Sequence, residues 1–208
     1  MKKIFIDFDG VIVDSNEFKE TAIKNSIFKF LGRNEKTLEA INYFNVNAGI
    51  SRNFKLSKFF NEETVSQILK IYSEECFNFF TKTTPTLGCR EFLDYVKCID
   101  NNIKFYVLSG GEKGEIEFFL KKNLLLDYFE EILASEKNKV DHLKEKGVSK
   151  NDIFIGDSNN DLKVALKIDI NFILFRKYRS LKSFPSKQSI DNHFFLETDN
   201  FKSLIKQI

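Results

Sequence analysis

Apolar positions along the chain fall into two textures. Short runs rich in Ile, Phe, Val and Leu occupy residues 3–8, 103–108, 132–134, 152–156 and 171–175. Runs this short, apolar throughout and rich in β-branched and aromatic residues, predict strands buried on both faces. Between them, apolar residues recur at helical spacing over 17–32, 88–101, 115–123, 139–146, 162–167 and 200–207. Strand alternating with helix predicts an α/β fold with a doubly wound parallel sheet. A further segment, 193–196, predicts an edge strand.

One region breaks the alternation. From residue 16 to 83 the spacing is helical only, over 17–32, 35–44, 56–60 and 62–80, with Gly32 as a stop and Pro85 closing the region. This predicts a helical unit, 16–83, inserted directly after the first strand, with 1–15 and 84–208 forming the α/β core. Phe79 and Phe80 are expected in its packed interior. The length of 208 residues suits one full domain and a modest second one.

Composition narrows the class. With 42% hydrophobic and 30% charged residues, the chain reads as an ordinary globular protein. A net charge of +2 lacks the basic face that nucleic-acid binding by bulk charge requires. The most basic stretch, 176–182, is interrupted by other residues and reads as a solvated loop. No apolar run reaches the ~18 residues needed to span a bilayer, so no membrane partner is expected. Cys76, Cys89 and Cys98 have no metal-type spacing, and their odd number suggests reduced thiols in the cytoplasm. The first strand begins almost at Met1, which leaves no room for a signal peptide. Oligomeric state, monomer or homodimer, is open.

The candidate chemistry collects where the runs end. Asp7 and Asp9 follow the first strand two residues apart, which on extended chain puts them on one side, and Gly10 follows at once. Ser109, Gly110 and Gly111 follow the second strand, Lys137 and Lys139 precede or open a helix after the third, and Asp157 and Asp161 follow the fourth. In a parallel sheet these ends share one edge, where ligands bind. Paired carboxylates repel unless a cation or a shared proton relieves them, and Mg²⁺ is the fitting hard cation. Each piece also has a plainer reading: an Asp-Gly turn, a serine N-cap, an Asx-rich helix start.

Together, Asp7-Phe8-Asp9-Gly10-Val11-Ile12-Val13-Asp14-Ser15, Ser109-Gly110-Gly111, Lys139 and Gly156-Asp157-Ser158-Asn159-Asn160-Asp161 resemble, in order, the four motifs of the haloacid dehalogenase superfamily. They look most like its phosphatases and phosphomutases with a helical cap, over residues 3 to about 175. The resemblance implies a phosphatase acting on a small phosphorylated metabolite through an aspartyl-phosphate. Asp7 would be the nucleophile and Asp9 the general acid and base, with its backbone carbonyl a further metal ligand. Ser109 and Gly110 would bind the phosphoryl group, and Lys139, or its rival Lys137, would neutralise it. Asp157 would ligate Mg²⁺ directly, and Asp161 would hold a metal-bound water or the lysine. Residues 16–83 would be the cap, and Arg52, in the polar loop 47–53, is expected to reach a substrate anion or hydroxyl. The rivals are a phosphomutase of the β-phosphoglucomutase type, which shares all four motifs, and a non-catalytic binding module on the same fold.

Overall fold

The structure is a computed structural model that describes residues 2–179 and 195–207. Six strands, β1 (Lys3–Ile6), β2 (Lys104–Leu108), β3 (Phe129–Leu133), β4 (Ile153–Gly156), β5 (Asn171–Phe175) and β6 (Phe195–Thr198), form one sheet of order β3-β2-β1-β4-β5-β6. Every neighbouring pair is parallel. The expected doubly wound architecture is therefore present, with β1 central between β2 and β4. The sheet order reverses direction beside β1, the kind of switch point where ligand crevices form.

Alternation along the strands splits the interior in two. Ile4, Ile6, Phe105, Val107, Ile155, Ile173 and Phe175 turn to one face. That face is covered by α5 (Cys89–Ile99), α6 (Lys113–Lys122) and α9 (Phe201–Ile205) through Phe92, Phe119 and Phe201. Phe5, Tyr106, Leu108, Phe154, Phe172 and Leu174 turn to the other. There α7 (Lys139–Glu145) and α8 (Asn159–Ile168) pack through Leu143, Leu162 and Ala165.

Residues 16–83 contain helices and no strand: α1 (Asn16–Leu31), α2 (Glu35–Val46), α3 (Arg52–Ser57) and α4 (Glu62–Lys82). The local signals are clear. Asn34 caps α2 in a reciprocal capping box with Thr37, Asn61 caps α4, and Gly32 ends α1 at φ +71°. These helices do not hold a separate core. Ile23, Phe44 and Tyr72 belong to the same buried cluster as the first sheet face. Phe80, fully buried, meets Phe8 and Phe119 edge to face, and Phe79 stacks on Phe18. Phe8 lies just past β1, so this aromatic contact ties the helical region to the strand that carries Asp7 and Asp9.

Several boundaries move for physical reasons. Arg52, expected in a loop, opens α3, because Ser51 caps that helix through the Phe54 N–H. Helix α8 starts at Asn159 rather than 162, because Ser158 and Asp161 form a capping box. Strand β3 begins at Phe129, earlier than expected, since Glu130 and Glu131 are exposed at the sheet edge and break the apolar run. The edge strand is Phe195–Thr198. His193, part of the expected strand, and 180–182 of the basic stretch lie outside the described residues.

Candidate active site

Strand β1 ends at Ile6, and the Asp7 N–H is still held by the Ile155 carbonyl at 2.8 Å. The chain then folds back in a tight turn: Gly10 donates to the Val13 carbonyl and Ile12 to that of Phe8. Gly10 has φ +77°, and a Cβ there would come within 2.3 Å of an Asp157 carboxylate oxygen. The turn is thus pressed against the end of β4, and only glycine permits it.

Two buried clusters result. In the first, Lys139 Nζ lies 2.9 Å from Asp7 Oδ2 and 2.6 Å from Asp161 Oδ1. One oxygen each of Asp7, Asp157 and Asp161 can be chosen so that all lie within 4.8 Å of one another. All four residues are at most 3% exposed. Lys139 is placed by the start of α7, and Asp161 by its cap contact with Ser158 at 2.6 Å. Asn16 Nδ2 donates to Asp157 at 2.8 Å. Close packing reinforces the arrangement, since a Cβ on Gly156 would meet Asp161 Cβ at 2.6 Å.

The charges do not balance. Three carboxyl groups face one ammonium, so with all three ionised the site is short of two positive charges. Burial pushes the Asp7 carboxyl well above its ordinary value, helped by Asp161 and Asp157 against the opposing pull of Lys139. Burial likewise drives Asp157 up to about 8, with Asp161 adding to it. Burial opposes the Lys139 ammonium, but Asp161 and Asp7 outweigh it and hold its pKa above the usual lysine value. A donor set of hard carboxylate oxygens short of two positive charges fits a divalent cation such as Mg²⁺ or Mn²⁺.

The second cluster surrounds Asp9. Its carboxylate accepts from Ser15 Oγ at 2.6 Å and pairs with Lys19 Nζ at 2.5 Å. Lys19 rises from α1 between the Phe8 and Phe80 rings. Burial alone would raise Asp9, but Lys19 and the bonds from Lys19 and Ser15 overcome it and hold the carboxyl below its ordinary value. Asp9 is therefore ionised and balanced within its own pair, and its side chain stands outside the three-carboxylate cluster.

Ser109 is buried at the end of β2. Its Oγ accepts the Gly111 N–H at 3.0 Å, which leaves its own proton to donate elsewhere. That contact occupies one of the glycine amides expected to face a ligand, and α6 begins only at Lys113. Gly110 touches the helical region: a Cβ there would sit 2.6 Å from the Gly49 carbonyl oxygen. Asp7, Asp9, Asp157, Ser109 and Gly110 line one cavity of about 70 Å³ with Lys19 and Arg52.

The structure thus brings Asp7, Asp9, Ser109, Gly110, Lys139, Asp157 and Asp161 to one edge of the sheet. Lys137 does not join them, being exposed and paired with Glu145 at 2.6 Å. Arg52 reaches the cavity, but it is 4% exposed and its guanidinium makes a two-pronged contact with Glu115 at 2.8 and 2.6 Å. Its charge is thus matched by protein in this arrangement. Sequence reasoning missed Ser15, Asn16 and Lys19. Their signal was position, since α1 starts directly after the last residue of the first motif and carries Lys19 one turn in.

A parallel α/β sheet with carboxylates from the ends of two strands and one lysine at its ligand edge defines a phosphoryl- or acyl-transfer type of site. The model of the haloacid dehalogenase-like hydrolases matches residues 4–175, and the chain belongs to that family. Solved structures share the fold at low identity. The β-phosphoglucomutase of Clostridium difficile is 19% identical with a TM-score of 0.73, covering 98% of this chain and 93% of its own. CbbY of Rhodobacter sphaeroides, solved with phosphate, is 15% identical with a TM-score of 0.72, covering 98% and 96%. A hydrolase from Pseudomonas syringae is 14% identical with a TM-score of 0.75, covering 100% and 97%. No curated protein matches the chain by sequence.

Proposed function

We propose that this chain is a Mg²⁺-dependent phosphatase of small phosphorylated metabolites, working through a phosphorylated Asp7. The observation that carries the reading is the uncompensated Asp7–Asp157–Asp161 cluster beside Lys139. Asp7, Asp157 and the Asp9 backbone carbonyl would hold the ion, and Asp161 would anchor Lys139. When bound, the ion lowers the charge repulsion between an incoming phosphate and the carboxylates.

The chain's own residues divide the remaining work. An Asp7 carboxylate oxygen attacks phosphorus, and the bond from phosphorus to the substrate oxygen breaks. Asp9 gives a proton to that leaving oxygen. Water then attacks the phosphorus of the aspartyl-phosphate, Asp9 takes its proton, and free phosphate and the Asp7 carboxylate are restored. Ser109 donates to a phosphoryl oxygen and Lys139 opposes the charge on another. Asp9 is held ionised at rest by Lys19, so it must gain a proton before the first step. A substrate dianion near Lys19 competes for that ammonium and lets the Asp9 pKa rise. Residues 16–83 would act as a cap, a reading supported by the close approach of Gly49 to Gly110 at the rim of the cavity.

The test is free-phosphate release from an aryl phosphate and a panel of sugar and organic-acid phosphates, with Mg²⁺ and with EDTA. Mg²⁺-dependent release is expected. Isomerised sugar phosphate in place of free phosphate would identify a mutase, and inertness across the panel would favour a binding module.

A further inference from the structure

The wall of the cavity contributed by α2 and α3 carries two polar groups that the proposed phosphate chemistry leaves unused. Lys55 is buried, and its only hydrogen-bond partner among the described residues is the Phe44 carbonyl, at 3.3 Å. Its ammonium otherwise lies 3.6 Å from the centre of the Phe44 ring. The other buried cations at the site have carboxylates: Lys19 has Asp9, Arg52 has Glu115, and Lys139 has Asp7 and Asp161. No carboxylate lies within 4.0 Å of Lys55 among the described residues. Asn45, the residue after Phe44, is 6% exposed, and its Oδ1 is buried with no donor among the described residues. Both residues line the same cavity as Asp7 and Ser109.

A buried ammonium with at least two unused donors, next to an amide oxygen with no donor, costs folding free energy unless a ligand completes it. Elsewhere such groups find partners within the protein. Here they face the space where the part of the substrate beyond the phosphoryl group must lie. A neutral apolar substrate would leave both unsatisfied. A hydroxylated neutral one would satisfy Asn45 and leave the cation.

We propose that Lys55 and Asn45 form a subsite for a second anionic group on the substrate, with Lys55 binding the anion and Asn45 Oδ1 accepting from a neighbouring substrate hydroxyl. The proposal rests on the phosphatase reading of the same cavity. It assigns the substrate class: a phosphomonoester that also bears a carboxylate or a second phosphate, and a hydroxyl. Burial, together with Lys19 and Arg52 and opposed only by Asp9, lowers the Lys55 pKa to about 7. The empty subsite therefore tolerates a neutral amine, and a bound anion restores its proton.

The test compares matched phosphomonoesters at pH 7 with saturating Mg²⁺. The pairs are 2-phosphoglycolate with ethyl phosphate, 3-phosphoglycerate with glycerol 3-phosphate, and fructose 1,6-bisphosphate with fructose 6-phosphate. The first two pairs probe a carboxylate and the third a second phosphate. In at least one pair the anionic member is expected to have kcat/KM higher by about 30-fold or more, expressed mostly in KM. Lys55→Met should bring that ratio down to within about threefold of one, and Lys55→Arg should retain most of it. If both variants misfold, competitive inhibition of the wild type decides: malate should inhibit ethyl phosphate turnover far better than 1,2-propanediol. Equal turnover within every pair would overturn the subsite and leave the phosphatase standing. So would a Lys55→Met loss equal for both members, which would place Lys55 on the transferred phosphate. No turnover of any member would instead overturn the phosphatase reading, and the subsite with it.

Discussion

Asp157 shows how single side chains in this protein are set against stability for the sake of a ligand. It is buried beside Asp7 and Asp161, and its only side-chain donor among the described residues is Asn16. Asp157→Asn removes a carboxyl whose ionisation the buried site resists, and can still offer an oxygen to Asn16. The variant should melt higher than the wild type in EDTA, because buried like charges oppose folding. It should also lose the Mg²⁺-induced rise in Tm. In the wild type that rise corresponds to about 2.7 kcal/mol at a hundredfold excess over Kd. Thermal melts of both proteins with and without Mg²⁺ check this, and an equal Mg²⁺ response in the variant would remove Asp157 from the ion site. At this scale the sequence was informative wherever chemistry follows a strand end. Asp7, Asp9, Ser109, Lys139, Asp157 and Asp161 could all be picked out by that rule. Lys19, Asn45, Lys55 and Glu115 could not. Each sits inside a helix, where a charged or polar residue in the sequence looks the same whether it faces water or a cavity.

Between elements, the contact that matters most joins α3 to α6. Arg52 and Glu115 are both buried, meet through two hydrogen bonds, and are backed by Tyr72 and Ser73 of α4. This pair spans the helical region and the sheet domain. Glu115→Ala would leave the buried guanidinium with only the half-exposed Glu112, 3.8 Å from its Nε, as counter-charge among the described residues, at a cost of about 3–5 kcal/mol. At roughly 2–4 °C per kcal/mol for a chain of this size, Tm should fall by roughly 6–20 °C. A drop of under 2 °C would mean the pair is solvated in solution and the two regions part readily. The Gly49–Gly110 approach belongs to the same junction. Gly110→Val should raise KM for any substrate, because its side chain would collide with the Gly49 backbone, while the Mg²⁺-induced shift in Tm stays as in the wild type. Helix identity here was legible from spacing and caps. The start of α3 was not, because Ser51 in a polar stretch resembles a loop until the capping geometry is seen.

For the molecule as a whole, the order of strands and helices implied the parallel sheet, and the sheet in turn implied that four distant segments converge. Convergence was the central inference, and in the structure Asp7 and Asp161 both lie within hydrogen-bonding reach of Lys139. The extent to which residues 16–83 share the core of the sheet domain was not readable, since helical periodicity shows which face is apolar but not what covers it. Phe8, Phe80 and Phe119 supply that answer by packing across the junction. The account stands or falls on Asp7 carrying the phosphoryl group. Rapid acid quench with a ³²P-labelled phosphomonoester that the enzyme turns over, followed by peptide mapping, tests this directly. The wild type should carry label on the peptide containing Asp7, and Asp7→Asn should carry none and release no phosphate. Sustained phosphate release by Asp7→Asn, with no label on the wild-type chain, would contradict it.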